Sequence, residues 1–223
     1  MRYRDPMDDA ARRARLARRD AALAEAPGYR PVRHLAFVTL FAVAVALLCV
    51  AGLRSVTPSE WLALPLMATL ANAAEWAFHR RLLHRRRPPF HWVYDAHNRH
   101  HAYFVDGDMA IRGRQEWRLI LLPWWSIVAL AVALLPLLGL LALVSANAAR
   151  IVLATSMIYV ALYELLHLAF HLPDAHPLRR WGVMRWLARH HELHHDPRLM
   201  RDYNFNVIVP LWDHVRGTVA DDR

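Results

Sequence analysis

Four apolar runs, at about residues 32–53, 61–79, 119–144 and 147–171, leave this chain few folds to choose from. Each is near the length that crosses a hydrocarbon core of about 30 Å. A chain immersed there must satisfy its backbone internally, which favours helices. The expectation is an all-α integral membrane protein with about four transmembrane helices. The first run is too long for a signal-peptide core and follows a charged lead, so it should be retained. The links between the runs carry Pro58 on one side and, on the other, Pro88, Pro89 and a polar segment rich in histidine and arginine.

Histidine is the second constraint. The pattern His-x-x-His-His occurs twice, as His97/His100/His101 and His191/His194/His195. With 15 histidines in 223 residues, chance predicts roughly 0.07 occurrences. Positions i, i+3 and i+4 share one helix face, so each copy aims three imidazoles the same way. Two pairs stand at the ends of apolar runs, His79/His84 and His167/His171. The first pair is five residues apart, about 140° of rotation on a regular helix, and meets only if the helix loosens or the site is wide. Imidazole suits iron, zinc, copper and nickel rather than magnesium or calcium. Ten clustered histidines exceed what one ion can hold, so two ions are implied.

Charge sets the orientation. The 28 Lys+Arg give a net charge of +9 beside 56% hydrophobic residues. That combination excludes a disordered polyelectrolyte. Nucleic-acid binding is disfavoured, because the charges flank apolar spans instead of lining one soluble face. Two arginines fall in the outer links; the rest lie in the N-terminal lead or on the histidine side, which the positive-inside tendency assigns to the cytoplasm. The arginine- and alanine-rich composition points to a bacterial inner membrane. Residues 1–30 form a basic N-terminal segment and 31–223 a single membrane-embedded domain with a cytosolic, histidine-rich helical cap. Within the lead, residues 8–25 read as a helix, either solvated or in contact with anionic headgroups. The single cysteine, Cys49, lies in an apolar run and offers no thiolate site.

As a set, His79-x4-His84, His97-x2-His-His101, His167-x3-His171 and His191-x2-His-His195 resemble the histidine boxes of the fatty acid hydroxylase superfamily. That group of integral-membrane non-haem di-iron enzymes includes fatty acid 2-hydroxylases, sterol desaturases and carotenoid hydroxylases. The resemblance covers about residues 70–215. It implies that the ten histidines hold two iron ions, and that the reaction is O2-dependent hydroxylation or desaturation of an unactivated C–H bond. A fatty acyl chain is the expected lipid substrate, with a sterol or carotenoid as the alternative. No flavin or dinucleotide fingerprint is present, so a separate ferredoxin- or cytochrome-type electron donor is expected.

Carboxylates and amides near the boxes complete the list. Glu75, Glu164 and Glu192 are expected to orient imidazoles, as ligating histidines usually require. Asn204 and Asn206 are candidates for the same role. A carboxylate-rich di-iron site built from Glu75, Glu116, Glu164 and Glu192 is the alternative, and it would leave most clustered histidines without a function. A zinc-binding or transport protein is the alternative of another class. Transporters, however, hold their ligands at the bilayer midplane, whereas these histidines sit at span ends and beyond.

Overall fold

The computed structural model describes residues 6–220, with side chains from residue 9. The first five residues of the basic N-terminal segment and the last three of the chain lie outside the described part. Among the described residues the regular elements are all helical, with one isolated bridge between Val105 and Asp108. The helices are α1 (Pro6–Ala24), α2 (Pro31–Ala51), α3 (Pro58–Trp61), α4 (Ala63–Phe78), α5 (His91–Tyr103), α6 (Ser126–Ala142), α7 (Ala146–Phe170), α8 (Gly182–His194) and α9 (Leu211–Arg216). A π-helical turn, His79–Leu83, prolongs α4, and 3-10 turns occupy Arg114–Leu119 and Pro177–Arg180.

The all-α expectation holds, but the span boundaries differ from those read in the sequence. Among the described residues two helices are long and apolar enough to cross a membrane, Pro31–Ala51 and Ala146–Phe170. The run at 61–79 is interrupted at Leu62 between α3 and α4. The run at 119–144 becomes helical only from Ser126 and ends at Ala142. Pro123 lacks a backbone N–H, and the preceding Leu122 N–H donates to the Glu164 carboxylate at 3.2 Å rather than to a helical carbonyl. At about 1.5 Å per residue, α6 reaches only roughly 25 Å.

Helix α7 is the axis of the bundle, with α2, α4 and α6 packed against it. Small residues allow the close approach: Ala42 and Ala161 are buried with Val38, Ile127 and Met157. The outward faces are apolar as well; Leu48, Leu143 and Val144 are 73%, 84% and 87% exposed. The links α2–α3 and α6–α7 meet at one end. There the Arg54 N–H donates to Asn147 Oδ1 at 3.1 Å, the Asn147 side-chain amide returns a bond to the Arg54 carbonyl at 2.7 Å, and the Ser145 hydroxyl donates to Glu60. The histidine-bearing cap therefore forms at the opposite end, where α4 and α7 terminate.

Helix α1 is neither free in solvent nor held by its arginines at a lipid surface alone. One face docks on the cap through Arg15–Asp108 at 3.1 Å, Asp20–Arg112 at 2.6 Å and a bond from Arg118 to the Ala22 carbonyl at 2.6 Å. Arg12 also reaches Asp108, at 3.5 Å, while Arg13 and Arg18 remain on its exposed face.

Because Ala42 is fully buried between α2, α6 and α7, Ala42→Leu is expected to destabilise the bundle by about 1–3 kcal/mol. Leu48→Ala, on the exposed face, is expected to change stability by less than about 0.5 kcal/mol. Unfolding in detergent measures both.

Candidate metal centre

Each histidine group is carried by a helix that the sequence ends or distorts near the site. In the π turn the His84 N–H donates to the His79 carbonyl at 3.1 Å, an i→i+5 bond that widens the turn. His79 and His84 are thereby brought onto one face, their rings stacked with centroids 5.1 Å apart. This is the loosening that a five-residue spacing requires. Pro88 and Pro89 prevent the helix from continuing. His97, His100 and His101 lie on α5, His167 and His171 at the end of α7, and His191, His194 and His195 at the end of α8, which Pro197 follows.

The ten histidines form two clusters of five. His79, His84, His97, His101 and His194 make the first; His100, His167, His171, His191 and His195 make the second. Within each, one ligand atom per residue lies within 4.8 Å of all the others. The assignment crosses between helices. Positions i and i+4 of the α5 motif join the His79/His84 pair, while its i+3 residue, His100, reaches the other cluster. The α8 motif repeats this in mirror: His191 and His195 join His167/His171, and His194 crosses back. The clusters adjoin, with the His101 and His195 rings stacked at 4.2 Å.

The nitrogen geometry fits metal ions. In the first cluster the Nε2 atoms of His79–His97, His84–His97, His84–His194 and His97–His101 are 2.9–3.0 Å apart. In the second, His100–His167, His171–His191 and His191–His195 are separated by 3.1–3.4 Å. Two nitrogens at right angles on one ion, with bonds of about 2.0–2.1 Å, stand roughly 3 Å apart. Several of these pairs have little hydrogen to share. The Nδ1–H groups of His79, His194, His195, His100 and His171 donate to the carbonyls of Phe205, Tyr203, Phe104, Leu119 and Met109 at 2.5–2.9 Å. A carbonyl only accepts, so the proton sits on Nδ1 and Nε2 presents a lone pair to the cluster. Converging lone pairs in a buried site call for a cation.

Electrostatics agree. Burial pushes His100 down to about 4, and burial together with His194 pushes His84 down to about 2. His97, His101, His191, His194 and His195 are lowered in the same sense, again chiefly by burial. All seven are neutral at neutral pH, the form that binds metal. His84 and His97 are the least buried members of the first cluster, whereas all five histidines of the second are buried.

The groups that orient the imidazoles are backbone carbonyls, not the carboxylates expected from the sequence. Glu75 accepts from the Tyr159 hydroxyl at 2.5 Å and from the Val207 N–H, and Glu164 accepts from Leu122. Glu192 accepts from the Gly107 N–H at 3.2 Å and from Arg189. Neither cluster includes a carboxylate among the described residues, and Glu116 pairs with Arg112 and Arg19. Asn204 and Asn206 also act at one remove. Asn204 donates to the His190 carbonyl, and Asn206 donates to the Asn72 carbonyl, both at 2.9 Å, and so fix the loop whose carbonyls meet His79 and His194. His190 itself stays outside both clusters, 3.3 Å from Asp213.

Asp213 went unnoticed in the sequence, although a lone carboxylate in the apolar stretch 207–215 was a signal that it needed partners. Fully buried, it accepts from the Phe205 and Asn206 N–H groups at 3.0 and 2.7 Å and from the Thr218 hydroxyl at 2.7 Å. The loop that supplies the Phe205 and Tyr203 carbonyls is built on it.

A helical bundle capped by two adjacent imidazole-only clusters defines a class of protein able to hold two metal ions beside an apolar surface. The fatty acid hydroxylase family model matches residues 64–218, most of the chain and all ten histidines, and the protein belongs to that family. Comparison with curated proteins and with solved structures gives no match.

Asp213→Asn is expected to weaken metal binding at the first cluster about 10- to 100-fold while sparing the second. It should also cost about 1–3 kcal/mol of stability. Metal titration of the purified protein and of variants lacking one cluster measures the first effect, and thermal unfolding the second.

Proposed function

We propose that this protein is a membrane-bound, O2-dependent hydroxylase that inserts oxygen into an unactivated C–H bond of a lipid, most simply a fatty acyl chain. The observation that carries this reading is the pair of adjacent five-histidine clusters within a family-matched chain. The ten histidines are the ligands, five to each of two iron ions. Bound there, the irons would supply O2 reduction and oxidation of the C–H bond, with two electrons and two protons consumed and water as the second product.

The chain's own residues do the rest. Ten neutral imidazoles bring no negative charge, so each ion keeps its full charge toward O2. Carbonyl partners hold five of the rings, those of His79, His100, His171, His194 and His195, in fixed directions, which preorganises the pocket. Burial keeps bulk water from the reacting centre, and the half-buried His97 marks the accessible side of the first cluster. The exposed apolar faces of α2, α6 and α7 let a lipid approach without leaving its own solvent.

In this reading residues 31–223 are one membrane-embedded domain. The helices α2, α3–α4 with its π turn, α6 and α7 make four passes, the shorter ones with local thinning of the bilayer. Arginines 80, 81, 85, 86 and 87 put the cap in the cytoplasm, in a bacterial inner membrane. Electrons come from a separate ferredoxin- or cytochrome-type donor. Sterol or carotenoid hydroxylation, and desaturation, use the same centre and differ in how the substrate is placed.

The test is to express the chain in iron-supplemented cells with an electron-donor system and compare lipid extracts by mass spectrometry. A lipid should gain one oxygen with the wild-type chain and not with His194→Ala. An unchanged lipid profile from protein carrying about two irons would refute the reading.

A further inference from the structure

The loop that orients the second cluster is held from outside the family-matched part of the chain. Its carbonyls at Phe104 and Met109 accept from His195 and His171 at 2.7 and 2.9 Å. Arg19, on α1, is fully buried against this loop. Its Nε and Nη2 both donate to the Tyr103 carbonyl, at 2.8 and 2.5 Å. Nη2 also donates to the Asp108 carbonyl at 3.0 Å, and Nη1 to the Ala110 carbonyl at 3.1 Å. These three peptides immediately precede Phe104 and flank Met109 on either side. The guanidinium carbon stands 4.1 Å from the centre of the Phe104 ring, and Nη1 is 3.6 Å from Glu116. A guanidinium can bind several carbonyls at once with fixed geometry; an ammonium cannot present the same fork.

We propose that Arg19 is a positioning residue for the second metal site, fixing through the 103–111 loop the two carbonyls that aim His195 and His171. The matched part of the chain begins at residue 64, so the second site is completed by a helix that precedes it. The first site has no such dependence: its orienting carbonyls at Phe205 and Tyr203 are held by Asp213 and its neighbours. This inference rests on the metal-binding reading above.

The experiment is Co2+ titration of the metal-stripped full chain in detergent, read by bound-metal stoichiometry and by the visible absorption of the ion. Wild type should take up two equivalents. Arg19→Met should keep one at wild-type affinity and bind the other about 10- to 100-fold more weakly. The site that suffers is identified by double variants. Arg19→Met with His195→Ala, both affecting the second site, should still bind one ion tightly; Arg19→Met with His194→Ala should bind none tightly. Arg19→Lys keeps the charge beside Glu116 but not the fork, and should resemble the Met variant. Arg18→Met, on the exposed face of α1, should match wild type. Two tight ions in Arg19→Met, equal weakening of both sites, or full recovery by lysine would each overturn the proposal while leaving the metal reading intact. A wild-type chain that binds no Co2+ would instead remove the metal reading, and the proposal with it.

Discussion

Ten imidazole nitrogens pointing inward at about 3 Å from one another are the constraint on which the rest of the structure depends. Neutral rings in van der Waals contact are ordinary core material, but rings whose protons are committed to backbone carbonyls turn unshared lone pairs toward each other. Such an arrangement is stable only around positive charge. The protein meets it by fixing five of the rings, at least two in each cluster, from behind. Three backbone segments supply the carbonyls: the loop after α5, the residue Leu119, and the loop before α9. The two loops are in turn tied down by charged or amide side chains, Arg19 for the first and Asp213 with Asn206 for the second.

The membrane-type helices are the platform for this cap. Helices α4 and α7 pack along each other and deliver one histidine pair each at the same end, so the bundle determines the spacing between the pairs. The motifs on α5 and α8 then interleave, and each lends its middle histidine to the opposite cluster. Neither cluster can form without both motifs. The two sites are therefore coupled through the backbone geometry of α5 and α8, and the stacked His101 and His195 rings form the wall between them.

Much of this was legible in the sequence, for physical reasons that also explain what was not. The i, i+3, i+4 spacing assigns three histidines to one helix face regardless of context, and the five-residue spacing of His79 and His84 already demanded a widened turn. Which histidine joins which cluster depended on how α5 and α8 cross, and spacing along one helix carries no information about that. The orienting groups were invisible because backbone carbonyls have no sequence identity; carboxylates at suggestive positions drew attention instead, and Glu75 and Glu164 turned out to bind backbone and tyrosine. Arg19 is one of five arginines on a helix without a strong apolar stripe, and only its burial separates it from Arg18. The apolar run at 119–144 read as one span because hydropathy does not register the break at Pro123.

X-ray absorption at the iron edge of the iron-loaded protein distinguishes two all-imidazole sites from any other arrangement. Two five-imidazole sites predict about two irons per chain, each with a first shell of nitrogen at roughly 2.0–2.2 Å and the outer-shell scattering of several imidazole rings. A first shell dominated by carboxylate oxygen, or a single tightly bound ion per chain, would contradict it.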